Sequence, residues 1–122
     1  MSAPVNKKTE LGHTALGKIV YRADFLDPRM NSWKGWTKED HAQAAALHLA
    51  EEQKLALRRG SLTYGSKTCD RKMFHRRCAM YHHAQAMALA NAGTAAAKKY
   101  RLEIVTLNRT ILVVGNPYEE RS

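Results

Sequence analysis

Residues 17–25 (GKIVYRADF) alternate between apolar and polar side chains. A period of two is the pattern of a β-strand that buries one face, so this segment is predicted to form a strand. The apolar positions on one side are Ile19, Tyr21, Ala23 and Phe25. An Asp-Pro pair at residues 27–28 ends the run. Residues 1–16 are polar and without period, which predicts a flexible N-terminal arm.

Two long segments in the middle of the chain predict helices. Thr37 stands three residues before Asp40, which is the spacing of a capping box, so the first helix is predicted to begin there. It ends at Gly60, after two arginines in its last turn. The second helix is predicted over residues 66–91, before another glycine. The short link between them predicts an antiparallel helical hairpin.

Two runs rich in β-branched residues follow, RLEIVTL at residues 101–107 and TILVVG at 110–115. An Asn-Arg pair between them is compatible with a hairpin turn. The predicted fold is therefore α+β, a helical hairpin packed on a small, mainly antiparallel sheet of about three strands, in the order β-α-α-β-β. Residues 17–118 form a single domain and 119–122 a tail. Both faces of the C-terminal hairpin are apolar, so a homodimer through this sheet is expected.

The second helix has two contrasting sides on a helical wheel. One side is predicted to be the core stripe, because a methionine-rich line at helical spacing is usually buried. Its members are Met73, Met80, Ala84 and Met87. The other side carries Arg71, His75, Cys78 and His82.

Three interpretations of the Arg71–His82 side compete. It could bind phosphates, begin a metal site completed by His41 or His48, or be a solvated helix face. The first helix should pack on the methionine stripe, which points away from these histidines, so no metal ligand is predicted. Cys69 and Cys78 would lie about 13 Å apart along one helix, beyond the reach of a disulfide.

Trp33 and Trp36 flank Lys34 and Gly35 just before the first helix. Two indoles beside a lysine suit a platform for stacking on unpaired bases. They equally suit packing onto the helix start in the manner of a hydrophobic staple, and this structural interpretation is preferred.

Positive charge is concentrated in the second half of the chain. Residues 1–52 carry seven basic and seven acidic side chains, whereas residues 53–118 carry twelve Lys or Arg and two acids. Such an imbalance indicates a surface that meets a polyanion, and nucleic acid is the favoured one. The predicted nucleic-acid-binding residues are Arg58, Arg59, Lys67, Arg71, Lys72, Arg76, Arg77, Lys98, Lys99, Arg101 and Arg109.

The sequence therefore predicts a small, basic, non-catalytic protein that binds DNA or RNA mostly through phosphate contacts. One alternative is a phage or mobile-element accessory protein that inhibits a host protein or is a minor virion component. Another is a small metal-independent ribonuclease in which His75 and His82 act as acid and base. The predicted element order resembles that of small basic ribonuclease toxins, without a shared motif. A cytoplasmic location, no cofactor and no membrane partner are expected.

Overall fold

A two-stranded antiparallel sheet begins the part of the chain that is described, residues 10–23 and 33–118 of the computed structural model. Strand β1 is Glu10–His13 and strand β2 is Ile19–Tyr21, with Gly12 opposite Val20. Strand β2 lies within the predicted strand, whose last two residues, 24 and 25, are outside the described residues. Strand β1 was not predicted, because residues 10–13 have no clear alternation and were assigned to the N-terminal arm.

The sheet is anchored to the first helix, α1 (Lys38–Ala56), by a buried polar contact. Thr14 Oγ1 donates to Asp40 Oδ1 at 2.6 Å. The other carboxylate oxygen of Asp40 accepts from the Thr37 backbone N–H at 2.9 Å, and Thr37 Oγ1 accepts from the Asp40 N–H at 3.1 Å. The predicted capping box is thus confirmed, and the same aspartate ties the strand hairpin to the helix start.

Helix α2 (Lys67–Ala90) follows α1 and packs against it, which agrees with the predicted helical hairpin. Ser66 caps it by accepting the Cys69 N–H at 3.0 Å. Helix α1 ends at Ala56, four residues before Gly60, because the next backbone N–H groups, those of Leu57 and Arg58, bond to carbonyls only three residues back.

The predicted C-terminal strands are wrong. Residues 96–114 form one helix, α3 (Ala96–Val114), so the described residues contain two strands and three helices in the order β-β-α-α-α. The α+β class holds, but the three-stranded sheet and the order β-α-α-β-β do not. The described residues contain no C-terminal sheet through which a dimer could form.

The helix α3 arises because its apolar residues also satisfy a helical spacing. Ile104, Leu107 and Ile111 lie on one side of it, where Ile111 is fully buried. Neither Gly nor Pro interrupts residues 94–114. The hydroxyl groups of Thr106 and Thr110 donate to carbonyls four residues back, at 3.0 Å each, so these β-branched residues are accommodated within the helix. The local pattern of this segment is compatible with both a strand and a helix, and packing against α2 selects the helix.

Helix α2 lies between α1 and α3, and the methionine stripe is not its main buried side. Ala84 is the buried member of the stripe, Met73 and Met87 are half-buried and Met80 is 49% exposed, whereas His75, Cys78 and His82 have no exposed surface. The histidine side faces α1, and the wheel interpretation failed because it assumed that histidines belong outside. The hydrophobic core cluster lies between α2, α3 and the flanking loops. It comprises Ala23, Phe74, Cys78, Tyr81, Ile111 and Tyr118.

Candidate functional site

The connection between α1 and α2 forms a positively charged end of the molecule. Residues 54–77, which we call the basic tip, carry eight Lys or Arg and one acid, Asp70. They comprise the last turn of α1, the connection and the first three turns of α2. Arg58, Arg59 and Lys67 are all exposed. The sequence places these charges near one another because the helices are antiparallel and joined at this end.

Two arginines of the basic tip already have partners within the protein. Arg71 donates from Nε to the Pro117 carbonyl oxygen at 3.3 Å, and its guanidinium lies 4.5 Å from the centre of the Tyr118 ring. Arg76 forms an ion pair with Glu52 at 3.3 Å. This pair is exposed on the arginine side, so it contributes little stability and can be exchanged for another anion.

The other predicted binding residues divide into two groups. Helix α3 runs antiparallel to α2, since Leu107 lines a shared groove with Met80 while Ile111 shares the core cluster with Phe74. Arg109 is therefore exposed on the half of the molecule that contains the basic tip. The remaining three lie near the far end of α2, about 30 Å from its first residue. They are Lys98, Lys99 and Arg101. The eleven predicted binding residues therefore do not form one continuous surface.

The basic tip also holds three large apolar side chains out in water. Leu57 and Leu62 are each 90% exposed and Tyr64 is 91% exposed. Exposed apolar residues scattered singly are ordinary, but three such side chains within eight residues form a cluster beside the arginines. The charge pattern did not reveal this cluster, although the sequence Leu62-Thr63-Tyr64 within a turn could have indicated it.

Four buried histidines pack between α1 and α2. His41 Nδ1 lies 3.1 Å from His82 Nδ1, and His48 Nδ1 lies 2.9 Å from His75 Nδ1. The rings of His48 and His82 are stacked with their centres 5.6 Å apart, which joins the two pairs. We call these four residues the histidine ladder. All are at most 3% exposed.

Each of the two Nδ1···Nδ1 contacts needs one donor and one acceptor. In each pair one imidazole carries hydrogen on Nδ1 and donates it, and the other accepts through the lone pair of its Nδ1. The His48–His75 pair continues to Tyr118, whose hydroxyl is 2.8 Å from His75 Nε2. Burial raises the pKa of Tyr118 to about 12, with a further increase from Glu51 that Arg22 and Arg71 oppose. The phenol is thus neutral near pH 7.

The two tryptophans cover the other end of the ladder. Trp33 contacts His82 with ring centres 4.7 Å apart, and Trp36 contacts His41 at 5.1 Å. Trp33 also meets Tyr81 edge-on at 5.0 Å. These contacts favour the structural interpretation of the tryptophans over the base-stacking one.

The ladder bears directly on two hypotheses from the sequence. His75 and His82 have no exposed surface, so RNA cannot reach them in this structure as a ribonuclease mechanism requires. His41 and His48 do meet them, contrary to the expected packing. Even so, no group of three or more His, Cys, Asp or Glu side chains within residues 10–23 and 33–118 is arranged to hold a metal ion. Cys69 and Cys78 are both buried, and no disulfide joins them.

A sequence signal for the ladder did exist. Both helices carry histidines seven residues apart, at positions 41 and 48 and at 75 and 82, and the pairs are symmetric about the turn. Antiparallel helices that meet at a turn bring such positions opposite one another.

Comparison of the chain with protein-family models, with curated proteins and with solved structures finds no match. Among the described residues, no helix combines the length and apolar character needed to cross a membrane. The functional argument therefore depends on the geometry and charge of the chain itself.

Proposed function

We propose that this protein binds nucleic acid without catalysis, mainly through phosphate contacts made by the basic tip. The observation that carries the proposal is the charge of residues 54–77, with eight basic side chains and one acid. Phosphate contacts of this kind do not depend on base sequence, so binding to many sequences is expected.

The availability of these charges supports the proposal. Within the described residues, the ion pairs at the basic tip are Arg76 with Glu52 at 3.3 Å and Lys54 with Glu51 at 3.9 Å. No described acid lies within ion-pair distance of Arg58, Arg59 or Lys67. Charges that are neither paired nor buried are free to displace the counterions of a nucleic acid, which is the main source of affinity in non-specific binding.

The test is a binding titration by fluorescence anisotropy with labelled DNA and RNA across a salt series. If about six phosphates are contacted, affinity should fall by roughly 1000-fold between about 50 and 200 mM salt. The variant Arg58→Glu/Arg59→Glu reverses two charges at the basic tip. Its matched control, Lys98→Glu/Lys99→Glu, makes the same charge change at the far end of α2.

The tip variant should weaken binding by more than about tenfold beyond the control variant. Equal loss in the two variants would mean that overall charge, rather than the basic tip, determines binding. A nearly flat salt dependence would contradict the proposal. Capture of an acidic protein that persists after nuclease treatment, with no oligonucleotide binding, would instead favour the interaction-protein alternative.

A further inference from the structure

The exposed apolar cluster of the basic tip is held in place by an ordered turn. Successive backbone hydrogen bonds link Ser61 to Arg58, Thr63 to Gly60 and Ser66 to Thr63. These hydrogen bonds form consecutive turns, and side-chain hydrogen bonds reinforce them. Ser61 Oγ donates to the Ala56 carbonyl oxygen at 2.9 Å, and Ser66 Oγ donates to the Gly60 carbonyl oxygen at 2.6 Å.

Two glycines make this turn possible. Gly60 has φ of +86° and Gly65 has φ of +87°, a region that other residues rarely adopt. Between these glycines, Leu62 and Tyr64 are exposed on a backbone that the hydrogen bonds of the turn hold in place. The ordered turn thus holds Leu62 and Tyr64 on the outside of the tip, at 90% and 91% exposed.

We infer that the basic tip recognises single-stranded nucleic acid, with Tyr64 stacking on an unpaired base. This inference rests on the proposed function and names its ligand class. Stacking on an aromatic ring tolerates any base, since every base has a π-face, and it needs an exposed ring beside positive charge. Tyr64 meets both conditions, with Arg58, Arg59 and Lys67 exposed on the same tip. Leu57 and Leu62 offer further apolar surface to an unstacked base.

The arrangement of charge favours a strand over other polyanions. Lys72 and Arg76 lie one turn apart on the same side of α2, and the exposed Lys67 lies at the start of this helix. A linear polymer can contact these charges one after another from the end of the tip, whereas a flat anionic bilayer would meet only that end. In a duplex the bases are already stacked on one another, so the exposed tyrosine would gain no partner.

The experiment compares the binding of a labelled oligothymidine with the binding of the same strand annealed to oligoadenine, at one salt concentration. The single strand should bind roughly tenfold or more tightly than the duplex. Tyr64→Ala should weaken single-strand binding by roughly 5- to 140-fold, which corresponds to the loss of one base stack. Tyr64→Phe keeps the ring and should stay within about twofold of the unsubstituted protein.

A second pair of variants tests whether the exposed apolar surface of the basic tip, rather than apolar surface elsewhere, contributes to binding. Leu102 is 68% exposed on α3, away from the basic tip, so Leu102→Ala is the matched control for Leu62→Ala. Only Leu62→Ala should weaken single-strand binding. Far-UV circular dichroism of each variant verifies that the helices are intact.

The outcomes distinguish this inference from the proposed function. Equal affinity for duplex and single strand, or a Tyr64→Ala variant that binds as well as the unsubstituted protein, overturns single-strand recognition while phosphate binding stands. No binding to any oligonucleotide overturns both. Binding to vesicles containing phosphatidylserine without binding to oligonucleotides would assign the tip to a lipid surface and overturn the inference.

Discussion

The contact between His48 and His75 gives the most direct test of the histidine ladder. The perturbation is replacement of each histidine by leucine, singly and together, which keeps much of the side-chain volume and removes the polar ring. His83 on α2 is the matched control, because it is exposed and adjacent to the ladder residue His82. His83→Leu should change the free energy of unfolding by no more than about 0.5 kcal/mol.

The magnitude follows from the hydrogen bonds lost at each site. His48→Leu removes the 2.9 Å contact and leaves His75 Nδ1 without that partner, which costs about 1–3 kcal/mol in a buried position. His75→Leu also removes the 2.8 Å contact with the Tyr118 hydroxyl, so its cost should be about 1 kcal/mol greater. In the double variant both members of the 2.9 Å contact are gone. Its cost should fall short of the sum of the single costs by about 1–3 kcal/mol.

Urea denaturation followed by tryptophan fluorescence measures these differences, because Trp33 and Trp36 pack against the ladder. Circular dichroism at the helical wavelengths should give the same midpoints if unfolding is two-state. Additive single and double effects, within about 0.3 kcal/mol, would refute the claim that the two histidines are coupled. So would a His48→Leu variant as stable as His83→Leu.

Three further predictions concern other parts of the fold. Burial alone would raise the pKa of Asp40, but hydrogen bonds from Thr14 and Thr37 and the charge of Lys18 lower it overall. The ionised carboxylate of Asp40 therefore stabilises the fold near neutral pH, and this stabilisation is lost as pH falls through the carboxyl range. In urea titrations, Asp40→Asn should reduce the loss of stability at acid pH. The pKa of Tyr118 is raised from 10.0 to about 12, so the folded state loses stability as pH rises across that interval, and an unchanged alkaline curve in Tyr118→Phe would contradict this. Ile111 is fully buried and Val113 is 87% exposed. Ile111→Ala should cost about 2–4 kcal/mol and Val113→Ala no more than about 0.5 kcal/mol, whereas the predicted strand would place both on one face and make their costs similar.

Local signals predicted the helical hairpin well. The capping box of Thr37 and Asp40 acts within a few residues, so it is readable without knowledge of the rest of the fold. The position of the basic tip follows from the same signals, since two helices joined by a short turn bring the end of one and the start of the next together. Exposure of Tyr64 required the structure, because a tyrosine in a turn can either pack or remain in water.

The errors came from segments whose pattern permits two structures. Residues 101–115 contain β-branched residues in runs that fit a strand, yet Ile104, Leu107 and Ile111 also share a helical face. Their local preference differs little between the two, and burial against α2 outweighs it. The buried side of α2 was misassigned for a related reason. Hydropathy places histidine outside, but a histidine whose ring nitrogens are hydrogen-bonded can be buried.

The sequence by itself determined the two helix starts, the antiparallel hairpin and the concentration of charge at its tip. These depend on interactions between residues close in the chain and on simple composition. Only the tertiary structure decided that α3 is a helix, that histidines rather than methionines lie between α1 and α2, and that Tyr64 projects into water. Each of these depends on which surfaces meet, and the buried histidine pairs join residues 41 and 27 positions apart in the chain, which local sequence signals do not reach.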